Sequence, residues 1–72
     1  MMLFKDWLTK ENLDYTEAGA RLGVSRITIY YWATGQNRPS PKFNHVIAEK
    51  TEGLVTANDH QRMYELARMG DE

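Results

Sequence analysis

The sequence of 72 residues contains no cysteine, so neither a disulfide framework nor a thiolate metal site can compensate for its small size. Histidine occurs twice, at His45 and His60, with no dense set of ligands around either. No stretch approaches the ~20 apolar residues of a membrane span, and Lys5 and Asp6 interrupt the start before the apolar core of a signal peptide could form. These absences lead us to expect a soluble intracellular protein with no metal. No linker, repeat or low-complexity tract divides the chain, and a single domain over residues 1–72 is expected.

Two further absences are local. No Val/Ile/Thr/aromatic run alternates with period two between turn signals, which argues against strands. Between Ala18 and Ala48 there is not one Asp or Glu, although Arg21, Arg26, Arg38 and Lys42 all fall there. The net charge of −1 therefore hides a gradient, with residues 14–50 at net +2 and residues 51–72 at net −3. An acid-free stretch in an otherwise acidic chain is how a face for an anionic partner is built.

What is present is helical spacing, with apolar residues three and four apart throughout, and five short helices account for nearly all of the chain. The first, about residues 3–10, gathers Leu3, Phe4, Trp7 and Leu8 on one stripe. The second, 15–22, opens with Asp14 as N-cap and Glu17 three residues on, a capping box, and ends at Gly23. The third, 26–34, has Ser25 as N-cap, Val24 and Ile29 as a hydrophobic staple, and Gly35 as its stop. The fourth, 41–52, has Ser40 as N-cap and Pro41 at its first position, buries Phe43, Val46 and Ile47, and stops at Gly53. The fifth, 57–69, opens on a second capping box, Thr56 with Asp59, and turns Met63, Leu66 and Ala67 inward or toward a partner. Only Gly23, Val24 and Ser25 separate the second and third helices, which suits a sharply angled helix-turn-helix. Gly19 costs the second helix ~1 kcal/mol relative to Ala, tolerable if its missing Cβ lets the third helix come close.

Winding residues 25–34 at 100° each turns Ile29, Trp32 and Ala33 toward the core and Ile27, Tyr30, Tyr31 and Thr34 outward. A solvated face would carry Lys, Glu and Gln, so something should cover this one. Set in a major groove, Arg26 could bond guanine O6 and N7, Ile27 could touch a thymine methyl, and Tyr30 or Tyr31 could reach bases or phosphates. Ser25 and Thr28 at the helix N-terminus suit phosphate oxygens, and Arg38 and Lys42 would grip the backbone beside the groove. The same Ile and Tyr face would also serve as a protein–protein patch.

The stretch from Thr16 to Trp32 resembles the two-helix signature of the Cro/CI-type helix-turn-helix family of phage and bacterial repressors, through small Gly19, Gly23 four residues later, apolar Val24, then Ile29 and Trp32. The run from Gly35 to Pro41 resembles the family's loop into its fourth helix, and Ile47 to Thr56 is similar to the end of short Cro-like regulators. The resemblance covers about residues 3–59 and implies a compact all-α, five-helix, lambda-repressor-like domain. It also implies base reading by Arg26, Ile27 and Tyr31, with Tyr30 beside them, and phosphate contacts from the start of the second helix, Tyr15 and Thr16, from Thr28, and from Gln36, Asn37 and Arg38. Tyr15 stands where the family usually carries a phosphate-clamping Gln, and its phenol can take that role. Many members are basic overall and this chain is not, so modest nonspecific affinity is expected.

The leading expectation is a repressor that binds double-stranded operator DNA as a homodimer in the bacterial cytoplasm, its recognition helices about 34 Å apart. Leu54, Val55, Met63 and Tyr64 are candidates for the dimer contact or for the monomer core. The alternative is a protein-binding module on the same fold, such as an antitoxin or anti-repressor. An enzyme is disfavoured: His45 with Glu49 and Asp59 beside His60 form no nucleophile–base–orienter set, and no glycine-rich phosphate loop exists. No cofactor or small-molecule effector is expected.

Overall fold

A computed structural model describes residues 1–69; residues 70–72, the last of the expected domain, lie outside the described residues. Its elements are α1 (Phe4–Lys10), α2 (Tyr15–Leu22), α3 (Arg26–Thr34), α4 (Pro41–Lys50) and α5 (Ala57–Met69), an all-α arrangement with no strand among the described residues. No described helix is long and apolar enough to cross a membrane.

Local chemistry sets most of the boundaries. Asp14 accepts the Glu17 N–H at 2.7 Å while the Glu17 carboxylate accepts the Asp14 N–H at 3.0 Å, so the expected capping box satisfies two orphan donors of α2. Ser25 caps α3 and Ser40 caps α4, each through its hydroxyl oxygen. The second box forms by half: the Asp59 carboxylate accepts the Thr56 N–H at 2.9 Å, but the Thr56 hydroxyl donates to that same carboxylate instead of accepting from Asp59.

Two helix ends differ from the sequence expectation. Leu3 is the extended residue before α1, so that helix begins at Phe4. α4 ends at Lys50 rather than at residue 52, because Thr51 turns its hydroxyl inward to accept the Val55 N–H at 3.1 Å and Glu52 takes a left-handed backbone, φ 56°, ahead of Gly53. That turn buries Val55 completely, which assigns it to the core and removes it from the residues available to a partner; Leu54 packs half-buried against the same core.

The core is built from α1, α2, α3 and α4 with Val55 of the turn after α4, and His60 of α5 packs on it. Phe4 is fully buried, with ring centroids of Trp7 and Trp32 each 6.2 Å away and of His60 at 5.5 Å. Ile29, Ile47 and Val55 are the other large side chains with no exposure, and burial of each such group stabilises the fold by about 1.5–3 kcal/mol. Ala18 and Leu22 of α2 and Trp7 and Leu8 of α1 extend it; the inward set expected for α3 is buried, and of the stripe expected for the first helix Phe4, Trp7 and Leu8 are buried while Leu3 is half-buried. On α5, Met63 and Ala67 are half-buried, whereas Leu66 is exposed.

The α2–α3 turn depends on one close approach. A Cβ built on Gly19 would lie 2.5 Å from the Val24 carbonyl oxygen, a backbone atom that cannot give way. The Gly19 carbonyl in turn accepts the N–H groups of Gly23 and Val24 at 2.8 and 2.9 Å, so the end of α2 and the start of α3 are locked over this residue.

Candidate nucleic-acid interface

α3 presents two faces. Ile29, Trp32 and Ala33 are buried, while Arg26 is exposed, Ile27 is 48% exposed and Tyr30 37%, with Tyr31 and Thr34 half-buried. Of the expected outward set, Ile27 and Tyr30 are exposed and Tyr31 and Thr34 only partly so. Its first turn carries no acidic residue, so the partial positive charge of the helix N-terminus is uncompensated there, and Arg26 adds to it.

Three of the four tyrosines, Tyr15, Tyr30 and Tyr31, form one aromatic surface. Tyr30 lies 6.0 Å from Tyr15 in an edge-on arrangement and 5.8 Å from Tyr31. Tyr15, at the first position of α2, is thus fixed by packing against α3, and the two helices contribute jointly to the face. Thr16 beside it is exposed.

At the N-terminal edge, the hydroxyls of Ser25 and Thr28 are 2.9 Å apart, and Ser25 also accepts the Thr28 N–H at 3.3 Å. Both hydroxyls lie at the mouth of the helix dipole. Lys42, in the first turn of α4, sits with its ammonium 5.7 Å from the Phe43 ring and stays exposed.

The loop after α3 holds the rest of the expected phosphate set. Gln36, Asn37 and Arg38 are all exposed, and the N–H groups of Gln36 and Asn37 both donate to the Tyr31 carbonyl, at 3.0 and 3.4 Å. Gln36 donates its side-chain amide to the Thr34 hydroxyl at 3.2 Å. Arg38 is folded onto α5: Nη1 donates to Gln61 Oε1 at 2.6 Å and the guanidinium carbon stands 4.4 Å from the Tyr64 ring centroid. A guanidinium has five N–H donors, so this contact leaves several for another partner.

Sequence reasoning missed α5 as part of this region. Arg68 donates to the carbonyls of Gly35 and Gln36, at 2.8 and 3.3 Å, and lies 3.5 Å from the Tyr64 ring centroid. Gln61, Tyr64 and Arg68 fall on one helical stripe, which the spacing shows; that the stripe faces the loop after α3 is a tertiary fact without a sequence signal. Tyr64, one of the residues expected either at a dimer contact or in the core, is half-buried with its ring against the guanidinium groups of Arg38 and Arg68.

The histidines have separate surroundings. His45 is exposed and 3.4 Å from Glu49 on the surface of α4. His60 is 3% exposed, neither ring nitrogen has a hydrogen-bond partner among the described residues, and burial holds its pKa down to about 4. No group of three or more potential metal-ligating side chains comes together among the described residues.

No family model, curated protein or solved structure matches the chain.

Proposed function

We propose that the chain is a sequence-specific DNA-binding regulator of the lambda-repressor-like helix-turn-helix type, acting as a homodimer on a pseudo-palindromic operator. The observation that carries the reading is the outward face of α3, where exposed Arg26, Ile27 and Tyr30 with half-buried Tyr31 lie along a helix seated by a three-residue turn, in a stretch free of acids. In a major groove Arg26 would read guanine and Ile27 a thymine methyl, while Tyr15, Thr16, Ser25, Thr28, Gln36, Asn37, Arg38 and Lys42 would contact phosphates. Regulation would be repression by occupancy of a promoter, with no catalytic step.

The second reading is a protein-binding module, favoured by the Tyr15, Tyr30 and Tyr31 surface with Ile27 beside it, a composition that protein interfaces share. One titration separates them: a labelled duplex from immediately upstream of the protein's own gene and a scrambled duplex, followed by anisotropy at two salt concentrations. Operator binding gives tight association with the first alone, and log K falls linearly with log salt. Arg26→Ala should then alter sequence preference at one base position, at a cost of about 1–3 kcal/mol, while Arg38→Ala weakens all duplexes alike and lowers the salt slope by about one. Failure of the wild-type chain to bind either duplex, together with capture of a defined protein through Tyr30, would transfer the assignment to the second reading.

A further inference from the structure

We infer that Arg68, together with Tyr64 and Gln61, positions the loop Gly35–Arg38 from α5, so that the C-terminal end of α3 and its exposed polar groups are held ready for a phosphate backbone; this rests on the DNA-binding reading. α3 has no basic residue in its own last turn, so the carbonyls at its C-terminal end receive no cation from within the helix. Arg68 supplies one from 33 residues away, bonding the Gly35 and Gln36 carbonyls and also the Tyr64 carbonyl at 3.0 Å. A planar guanidinium can bond several carbonyls at once, which an ammonium cannot do in the same fixed geometry.

The backbone is shaped for this contact. Gly35 takes φ 79°, and a Cβ on it would lie 2.5 Å from the Met63 carbonyl oxygen and 2.9 Å from Cβ of Ala67. The loop therefore touches α5 backbone to backbone at the level of Met63, and Arg68 clasps it one turn further on. Tyr64 serves both cations, with Arg68 at 3.5 Å and Arg38 at 4.4 Å from its ring centroid, and its π face offsets part of their mutual repulsion. Gln61 fixes Arg38 by the 2.6 Å bond and is itself oriented by donating to Glu65 at 3.0 Å. Arg68 is thus a positioning residue, acting through the loop and not on the partner.

The test compares the wild-type chain, Arg68→Ala and Arg68→Lys by amide hydrogen exchange in the free protein and by duplex binding over a range of salt, with far-ultraviolet circular dichroism confirming that each is folded. For Arg68→Ala, protection of the Gln36 and Asn37 amides should fall about tenfold or more, the loss expected for charge-assisted hydrogen bonds. Protection of the Gly23 and Val24 amides should stay unchanged. Duplex affinity should fall about tenfold with the salt slope unchanged, and Arg68→Lys should recover part of both losses. Unchanged protection at Gln36 and Asn37, or equal loss at both ends of α3, overturns the positioning role. A salt slope lowered by about one also overturns it, since Arg68 would then touch phosphate itself. Wild-type protein that binds no duplex defeats the DNA-binding premise, and the exchange ratio, read without DNA, still decides separately whether Arg68 holds the loop.

Discussion

The two ends of α3 are secured in opposite ways. At its N-terminus everything is local: Ser25 caps the helix, Thr28 bonds Ser25, and Gly19, six residues before Ser25, accepts the turn against its bare backbone. At its C-terminus the securing groups come from another helix, with Arg68, Met63 and Tyr64 of α5 gathered around Gly35 and the loop beyond it. The face between them is presented by a helix anchored by its neighbours in sequence at one end and by its neighbours in space at the other. A helix held in this way can be loosened at either end independently, and the two perturbations differ in size and reach.

The largest effect is expected from adding a methyl group at each end. Gly35→Ala combines a left-handed backbone, costing about 1–2 kcal/mol, with a clash against the Met63 carbonyl, and should lower stability by about 2–4 kcal/mol in urea denaturation. Gly19→Ala meets an equally close carbonyl, but at a helical position where Ala regains ~1 kcal/mol of propensity, so about 1–2 kcal/mol is expected. If Gly19→Ala proves the more damaging of the two, the near end is the more constrained and the comparison is reversed.

Acid provides a second way to load the distant end, since His60 belongs to α5 and packs on Phe4. Its folded pKa of about 4 lies below the ordinary 6.5, so the unfolded chain takes up a proton first as pH falls. The associated stability is complete above about pH 6.5 and is lost as the pH drops toward 4, by about 2 kcal/mol at pH 5 and about 3 kcal/mol in all. Urea midpoints at pH 7.5 and 5.0 measure this, and His60→Leu should remove most of the difference. Equal pH dependence in the variant would place the responsible group elsewhere.

The smallest effect belongs to the near end. Ser25→Ala removes the cap of α3 and should cost about 1 kcal/mol, while leaving exchange at Gln36 and Asn37 as it was. Loss of protection at those amides in Ser25→Ala would show that the two ends are coupled through the helix.

The same contrast explains what could be read from the residues. The caps at Asp14, Ser25 and Ser40, the stops at Gly23 and Gly35, and the buried stripe Ile29, Trp32 and Ala33 all follow from residues within a few positions of one another. Of the set that helical winding turns outward, Ile27 and Tyr30 are exposed, whereas Tyr31 and Thr34 are half-buried. The early end of α4 was not legible, because it depends on Thr51 turning its hydroxyl toward Val55 instead of continuing the helix. Nor was the attachment of Arg38 to Gln61 and Tyr64, or of Arg68 to the loop: these join residues 23 to 33 apart, and no local pattern marks them.

The aromatic residues are divided between interior and face in a manner that gives the molecule two unlabelled optical reporters. Both tryptophans, Trp7 of α1 and Trp32 of α3, are 5% exposed with their rings near Phe4, whereas Tyr15, Tyr30 and Tyr31 share the outer surface of α2 and α3. Indole emission therefore follows the integrity of the interior, and the phenol bands of the near-ultraviolet spectrum follow what happens outside it. An event that changes the phenols and leaves the indoles alone is an event at the face or at Tyr64 on α5, recorded without altering a single residue.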